Sequence, residues 1–157
     1  RRVLFRSTPH LDRLAREGMR FTDAHAPATV CTPTRYSLMT GQMAFRVPGG
    51  GTVFTGVGGP SLIAPGRLTL PAMLRQQGYA TAAVGKWHIG FTFRDKAGEP
   101  IHKGGLEDVR RVDFSRRIEG GPVDHGFDRF FGTACCPTTD WLYAFIENDR
   151  EIGRAHV

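Results

Sequence analysis

Cys31-Thr32-Pro33-Thr34-Arg35-Tyr36-Ser37-Leu38-Met39-Thr40-Gly41 places a thiol, a proline and a guanidinium in one short run. Proline suits the first turn of a helix, where its missing N–H is not needed and its φ is already set. Glycine suits the position just past a helix end. The spacing therefore predicts a helix from about Pro33 to Thr40, stopped by Gly41, with Cys31 at its mouth. A cysteine there has its thiolate favoured by the helix dipole and by free backbone N–H groups, which permits a nucleophile. Only three residues separate Cys31 from Arg35, too few for the loop of cysteine phosphatases. The chain has no Cys-x-x-Cys and no zinc-ligand spacing. The plainer reading of a lone cysteine is a small buried hydrophobe.

A second run, Gly78-Tyr79-Ala80-Thr81-Ala82-Ala83-Val84-Gly85-Lys86-Trp87-His88-Ile89-Gly90, reads as an apolar strand that ends in charge. Tyr79 to Val84 is β-prone and apolar, as expected of a buried strand. Beyond Gly85, Lys86 and His88 alternate onto one side of extended backbone. That sets a cation and an imidazole at the C-terminal end of a strand, where α/β folds place their ligands.

Together these runs resemble the signatures of the sulfatase family, Cys-x-Pro-x-Arg with a trailing Leu-x-Thr-Gly, and Gly-Lys-Trp-His-x-Gly. Thr8-Pro9-His10-Leu11-Asp12-Arg13-Leu14-Ala15 is similar to that family's Thr-Pro-Asn-Leu-Asp-x-Leu-Ala, with His10 in place of Asn. Asp124-His125-Gly126-Phe127-Asp128, with Phe131-Gly132, is similar to its His-Gly-Phe-Asp strand. These last two are taken as fold markers, with Asp12 and His125 structural. His25, Cys136 and Asp140 are given no role.

The resemblance implies an alkaline-phosphatase-like α/β sandwich around a mostly parallel sheet, incomplete because the chain is a fragment. It implies hydrolysis of a sulfate ester, from a sulfated carbohydrate or an aryl sulfate. Cys31 would be oxidised by a formylglycine-generating maturation enzyme to formylglycine. The hydrate of that aldehyde has two hydroxyls on one carbon, so one attacks sulfur and the other collapses to expel sulfate, a covalent route with its own release step. A divalent cation, usually calcium, would bind the hydrate and the sulfate oxygens. By the same resemblance Arg35 holds the hydrate and balances charge beside the metal. Lys86 contacts sulfate and hydrate, and His88 exchanges a hydrogen bond or proton with the nucleophile's hydroxyl. The family's aspartate pair on a first strand, and its later Asp-Asn pair, have no counterparts between Thr8 and Arg150. Residue 31 is then the one expected metal ligand, and the chain alone is expected to be inactive, since hard cations want several oxygens. Phosphonate monoester hydrolases and phosphodiesterases of the same superfamily share the cysteine motif. A non-catalytic relative binding sulfated glycans is the alternative from another class. The family is often periplasmic or secreted.

The two ends read differently from the middle. Arg2 to Ser7 can be encoded by CGT GTG CTC TTC CGA TCT, and the reverse complement of that string encodes Ile152 to His156 in another frame. Residues 1–7 and 151–157 thus read as a sequencing adapter translated at both edges, leaving 8–150 as a partial catalytic domain. Setting aside Arg1, Arg2, Arg6, Arg154 and Glu151 leaves 17 basic against 14 acidic residues, and the net charge falls from +6 to +3. Half of the apparent basic signal for nucleic acid disappears with it. Arg110-Arg111 and Arg116-Arg117 alternate with acids and read as a solvated face. No apolar run approaches a membrane span. Three cysteines are too few for a disulfide framework, and a bridge between adjacent Cys135 and Cys136 would be strained.

Between these landmarks the pattern predicts a helix over Pro9 to Gly18, a short strand over Met19 to Ala24, and a mobile glycine-rich loop over Gly49 to Gly59. It predicts a second helix over Pro71 to Gln77, with Thr69 as N-cap and Gly78 closing it. Phe91 to Gly121 is polar and weakly patterned, and reads as a long surface excursion. Phe127 to Phe131 and Trp141 to Ile146 are strand candidates.

Overall fold

The computed structural model describes residues 7–137 and 140–154 of the 157. Four helices and four strands alternate in part: α1 Pro9–Glu17, α2 Cys31–Thr40, α3 Leu70–Gln76, β1 Ala82–Lys86, α4 Leu106–Arg111, β2 Arg129–Thr133, β3 Ala144–Glu147 and β4 Arg150–Arg154. The sheet order is β1-β2-β3-β4. β1 pairs with β2 in parallel, and the β2–β3 and β3–β4 pairs are antiparallel. The α/β class is as the sequence indicates. Among the described residues one of the three strand pairings is parallel.

Local chemistry explains the elements that position the site. α2 ends at Gly41, whose φ of 66° is the left-handed conformation that glycine adopts without strain. α3 starts where Thr69 Oγ1 accepts the Ala72 N–H at 3.3 Å, the expected N-cap. β1 is fastened at its start by Asp128, whose Oδ2 accepts from Thr81 N at 2.8 Å and from Thr81 Oγ1 at 3.0 Å. Arg75 pairs with the other carboxylate oxygen at 3.0 Å. His125 is buried, stacks on Trp87 and shares a 3.0 Å hydrogen bond with Ser61 Oγ. The Asp124–Asp128 motif therefore ties the β1 entry to α3 and to the loop before it.

The apolar core departs most from expectation. Phe91, Phe93, Ile101, Val109, Val112 and Ile118 are all buried, so the segment read as a surface excursion supplies much of the core. Its chain folds back on itself through single bridges, Thr92 with Glu119, Arg94 with Pro100 and Asp95 with Val112. Apolar residues carried by irregular backbone follow neither a helical nor a strand period, so periodicity misses them. The charged residues of the same segment do form a solvated face. Arg110 pairs with Glu107, Arg111 with Asp95, Arg116 with Asp113, and Arg117 with Asp124 and Asp149.

Three further expectations are corrected. β1 begins and ends later than read, and it is not buried: Val84 is 84% exposed on an edge strand with no neighbour on its far side among the described residues. Met19 to Ala24 forms no strand, because nothing among the described residues pairs with it, and Met19 and Phe21 stand exposed. The loop over Gly49 to Gly59 is packed rather than loose; Val57 is fully buried, and its neighbours' carbonyls accept hydrogen bonds from His88 and Cys135. β4 runs into residues 151–157, the end that reads as adapter and where the pattern predicts no strand. Asn148, at φ 56°, makes the tight turn that lets β4 pair back on β3. No helix among the described residues is long and apolar enough to cross a membrane.

The parallel β1–β2 pair depends on one close approach. Gly132 lies opposite Gly85, and a Cβ at Gly132 would meet the Gly85 carbonyl oxygen at 1.8 Å. Gly132→Ala is therefore expected to destabilise the chain by about 2–3 kcal/mol, since the clash is with backbone that cannot swing away. Thermal unfolding followed by circular dichroism checks it; an unchanged midpoint contradicts this packing.

Candidate active site

α2 begins at Cys31, two residues earlier than its proline implies, after extended Val30 at φ −126° and ψ 161°. Cys31 is thus the first helical residue, half-buried and free of any disulfide. Its neighbour Thr32 is fully buried, and Thr32 Oγ1 donates to the His88 carbonyl at 2.7 Å. One turn on, Arg35 Nη1 donates to the Lys86 carbonyl at 2.5 Å. Cys31 and Arg35 are four apart and share a helix face. The first turn of α2 is therefore clamped at two points to the segment that carries Lys86 and His88.

That segment is itself held to the chain leaving β2. Trp87 N donates to Thr133 O at 2.9 Å, and His88 N donates to Ala134 O at 2.8 Å. The ladder so continued brings Cys136 beside Lys86, whose Nζ donates to the Cys136 sulfur at 3.2 Å. Asp140 closes a turn with Cys136: its N–H donates to the Cys136 carbonyl at 3.0 Å, and its Oδ2 accepts from Cys136 N at 2.8 Å. His88 lies at φ 58°, a region that non-glycine residues seldom occupy and that functional sites often do.

The proton on the His88 ring is assigned by its partner. Nε2 contacts the Phe54 carbonyl, which can only accept, so Nε2 carries the hydrogen. His88 is 1% exposed, and Nδ1 has no hydrogen-bond partner among the described residues. Burial is the largest influence on this ring and lowers its pKa from the ordinary value; the Phe54 bond and the Asp140 charge work against the shift, and the Lys86 and Arg35 charges reinforce it. The neutral ring then offers a bare lone pair at Nδ1. Cys135, by contrast, is sealed against Gly56 O and its thiol is pushed far up by burial, which keeps it protonated and inert.

All four residues singled out in the sequence thus fall on two segments that are bonded to each other. Arg35 and Lys86 also share the wall of a cavity of about 250 Å³ with Leu38, Met39, Val84 and Phe127; Cys31 and His88 are not in that wall. Cys136 and Asp140, given no role by the sequence, join the site. His25 does not: it is exposed and pairs with Asp23. No spacing rule reports Cys136 and Asp140, because their partner His88 lies far away in sequence and meets them only through the β1–β2 ladder.

The calcium ion implied by the sequence resemblance does not fit the residues described. The one group of three or more ligating side chains among them is His88, Cys136 and Asp140, a nitrogen, sulfur and oxygen set. A hard cation takes six to eight oxygens.

Both buried imidazoles give the fold a pH dependence. The pKa of His125, like that of His88, is lowered chiefly by burial. A depressed folded pKa means that the unfolded chain binds the proton more readily. Stability is full above the ordinary histidine value near 6.5 and is lost as pH falls from there through the lowered folded values. The melting midpoint is expected to hold nearly level above about pH 7 and to drop from about pH 6.5 to pH 5, and to drop less in His125→Gln. A flat profile in the parent chain contradicts the burial of neutral rings.

The family model described as Sulfatase matches residues 4–147. Mouse steryl-sulfatase is 38% identical over 139 residues, covering 85% of this chain and 18% of that protein. The N-acetylgalactosamine-6-O-sulfatase of Bacteroides thetaiotaomicron is 36% identical over 157 residues, covering 94% of this chain and 25% of that protein. A solved structure from the same bacterium, described under the metabolism of multiple glycosaminoglycans, superposes with a TM-score of 0.70 at 32% identity. It covers 93% of this chain and 27% of the other. The chain thus spans a quarter or less of the length of these two curated relatives.

Proposed function

The chain belongs to the sulfatase family, and from that premise we propose that the protein hydrolyses sulfate esters with a nucleophile generated at Cys31. The observation that supports this reading is the double clamp: Thr32 to the His88 carbonyl and Arg35 to the Lys86 carbonyl. It makes one unit of the nucleophile's helical turn and the cation–imidazole segment.

Formylglycine at residue 31 would supply, as its hydrate, an oxygen nucleophile and a leaving route for sulfate. The remaining roles belong to side chains of this chain. Lys86 and Arg35 place two positive charges beside the first turn of α2, where the anionic sulfate group is drawn and its charge balanced. Arg35 has a further positioning role, since one guanidinium nitrogen already holds the end of β1. His88, neutral with its hydrogen fixed on Nε2, offers Nδ1 as the acceptor for a hydroxyl proton at residue 31. A protonated His88 could not accept that proton, so activity is expected to fall on the acid side, through the lowered pKa of this ring. Sulfated carbohydrate is the first substrate class to test, because a relative covering nearly all of this chain is an N-acetylgalactosamine-6-O-sulfatase. Aryl sulfates come next, and phosphodiesters serve as the discriminating control.

Mass spectrometry tests the reading at its root. Co-expression with a formylglycine-generating enzyme is expected to shorten the mass of the Cys31 peptide by about eighteen units, from replacing the thiol with an aldehyde oxygen. In the complete protein, Cys31→Ala is expected to lower kcat on the sulfate ester by on the order of a thousandfold or more. A Cys31 that stays a thiol, with no sulfate-ester turnover, overturns the proposal.

A further inference from the structure

We propose that His88, Cys136 and Asp140 form a binding site for a borderline-soft divalent metal of the zinc class, separate from any calcium the family uses. One ring nitrogen, the Cys136 sulfur and a carboxylate oxygen lie within 4.8 Å of one another. The donor set is nitrogen, thiolate and carboxylate, which suits zinc, cobalt or cadmium and not magnesium or calcium.

Two independent features point to a ligand. First, His88 Nδ1 is a fully buried lone pair with no partner among the described residues, and an orphaned polar atom of this kind calls for an explanation. Second, the opposite ring nitrogen is bonded to a backbone carbonyl, that of Phe54. This is how metal-bound histidines are commonly held: the outer N–H is given to a carbonyl or carboxylate, which fixes the tautomer and raises the basicity of the inner nitrogen. Asp140 is equally prepared. Oδ2 is held by Cys136 N, which fixes the carboxylate in orientation.

Tetrahedral zinc, with bonds near 2.0–2.3 Å, draws its donors to roughly 3.3–3.7 Å of each other. The cluster must therefore tighten by about 1 Å at its widest pair. Three protein ligands leave a fourth position for water. The metal also competes with the Lys86 ammonium for the Cys136 sulfur, 3.2 Å from it. Binding releases the thiol proton to solvent, forms the metal–sulfur bond and frees Lys86; no electron changes hands. Taken with the reading of His88 as proton acceptor, on which this consequence alone rests, the metal acts as an inhibitor of the hydrolase.

The test uses the 157-residue chain, free of calcium, titrated with Co²⁺ and with Zn²⁺. The parent is expected to bind one ion, to show a thiolate-to-cobalt charge-transfer band in the near ultraviolet, and to melt higher with zinc. Cys136→Ser is expected to abolish the band, and the near-isosteric Asp140→Asn to weaken zinc binding about tenfold or more, from losing one ligand. Cys31→Ala, which cannot become an aldehyde, is expected to retain both signals. That separates this site from the sulfatase reading, because the band then survives where the nucleophile is gone. Circular dichroism of the variants confirms that they fold. Absence of binding in the parent, a band retained in Cys136→Ser, or a band lost in Cys31→Ala overturns the site.

Discussion

Two hydrogen bonds hold this site together, and both run from the start of α2 to backbone carbonyls at and just past the end of β1. A buried threonine hydroxyl meets the His88 carbonyl, and a guanidinium meets the Lys86 carbonyl. A buried carbonyl left without a donor costs about 1–3 kcal/mol, so neither contact is easily given up. Cys31 contributes nothing to the clamp and is therefore free to be altered chemically. Thr32 and Arg35, which follow it along the helix, do the anchoring.

The clamp works because the strand it grips is set with little freedom. β1 enters under Asp128, lies against β2 across two facing glycines, and leaves through a segment still bonded to the chain after β2. Register along this pair decides what lies beside Lys86. With Gly85 opposite Gly132, the continuing ladder delivers Cys136 to the lysine and leaves Cys135 buried and unreactive. The glycine-rich loop adds the last constraint, since the Phe54 carbonyl selects the tautomer of His88. Positive charge from Arg35 and Lys86 and a neutral, basic imidazole therefore follow from backbone placement more than from the side chains' own preferences.

Much of this could be read from the residues alone, where local chemistry governs. Pro33 lies in the first turn of α2 and Gly41 ends it, Thr69 caps α3, and Lys86 and His88 fall just where a strand ends. What could not be read is what depends on distant partners. Phe91, Phe93, Ile101 and Ile118 form core on irregular backbone, with no period to reveal them. Val84 reads as buried because it is apolar in a β-prone run, yet an edge strand exposes it. Val57 sits in a run of glycines that suggests looseness, while its burial comes from the segments packed over it. Cys136 and Asp140 are ordinary in sequence and acquire meaning only beside His88.

The central claim is that the Thr32–His88 contact anchors the nucleophile's turn. The unfolding free energy of Thr32→Val, which keeps the side-chain shape and removes the donor, tests it most directly. A loss of about 1–3 kcal/mol against the parent is the predicted result. A variant within about 0.3 kcal/mol of the parent, below what a lost buried hydrogen bond costs, would contradict the account.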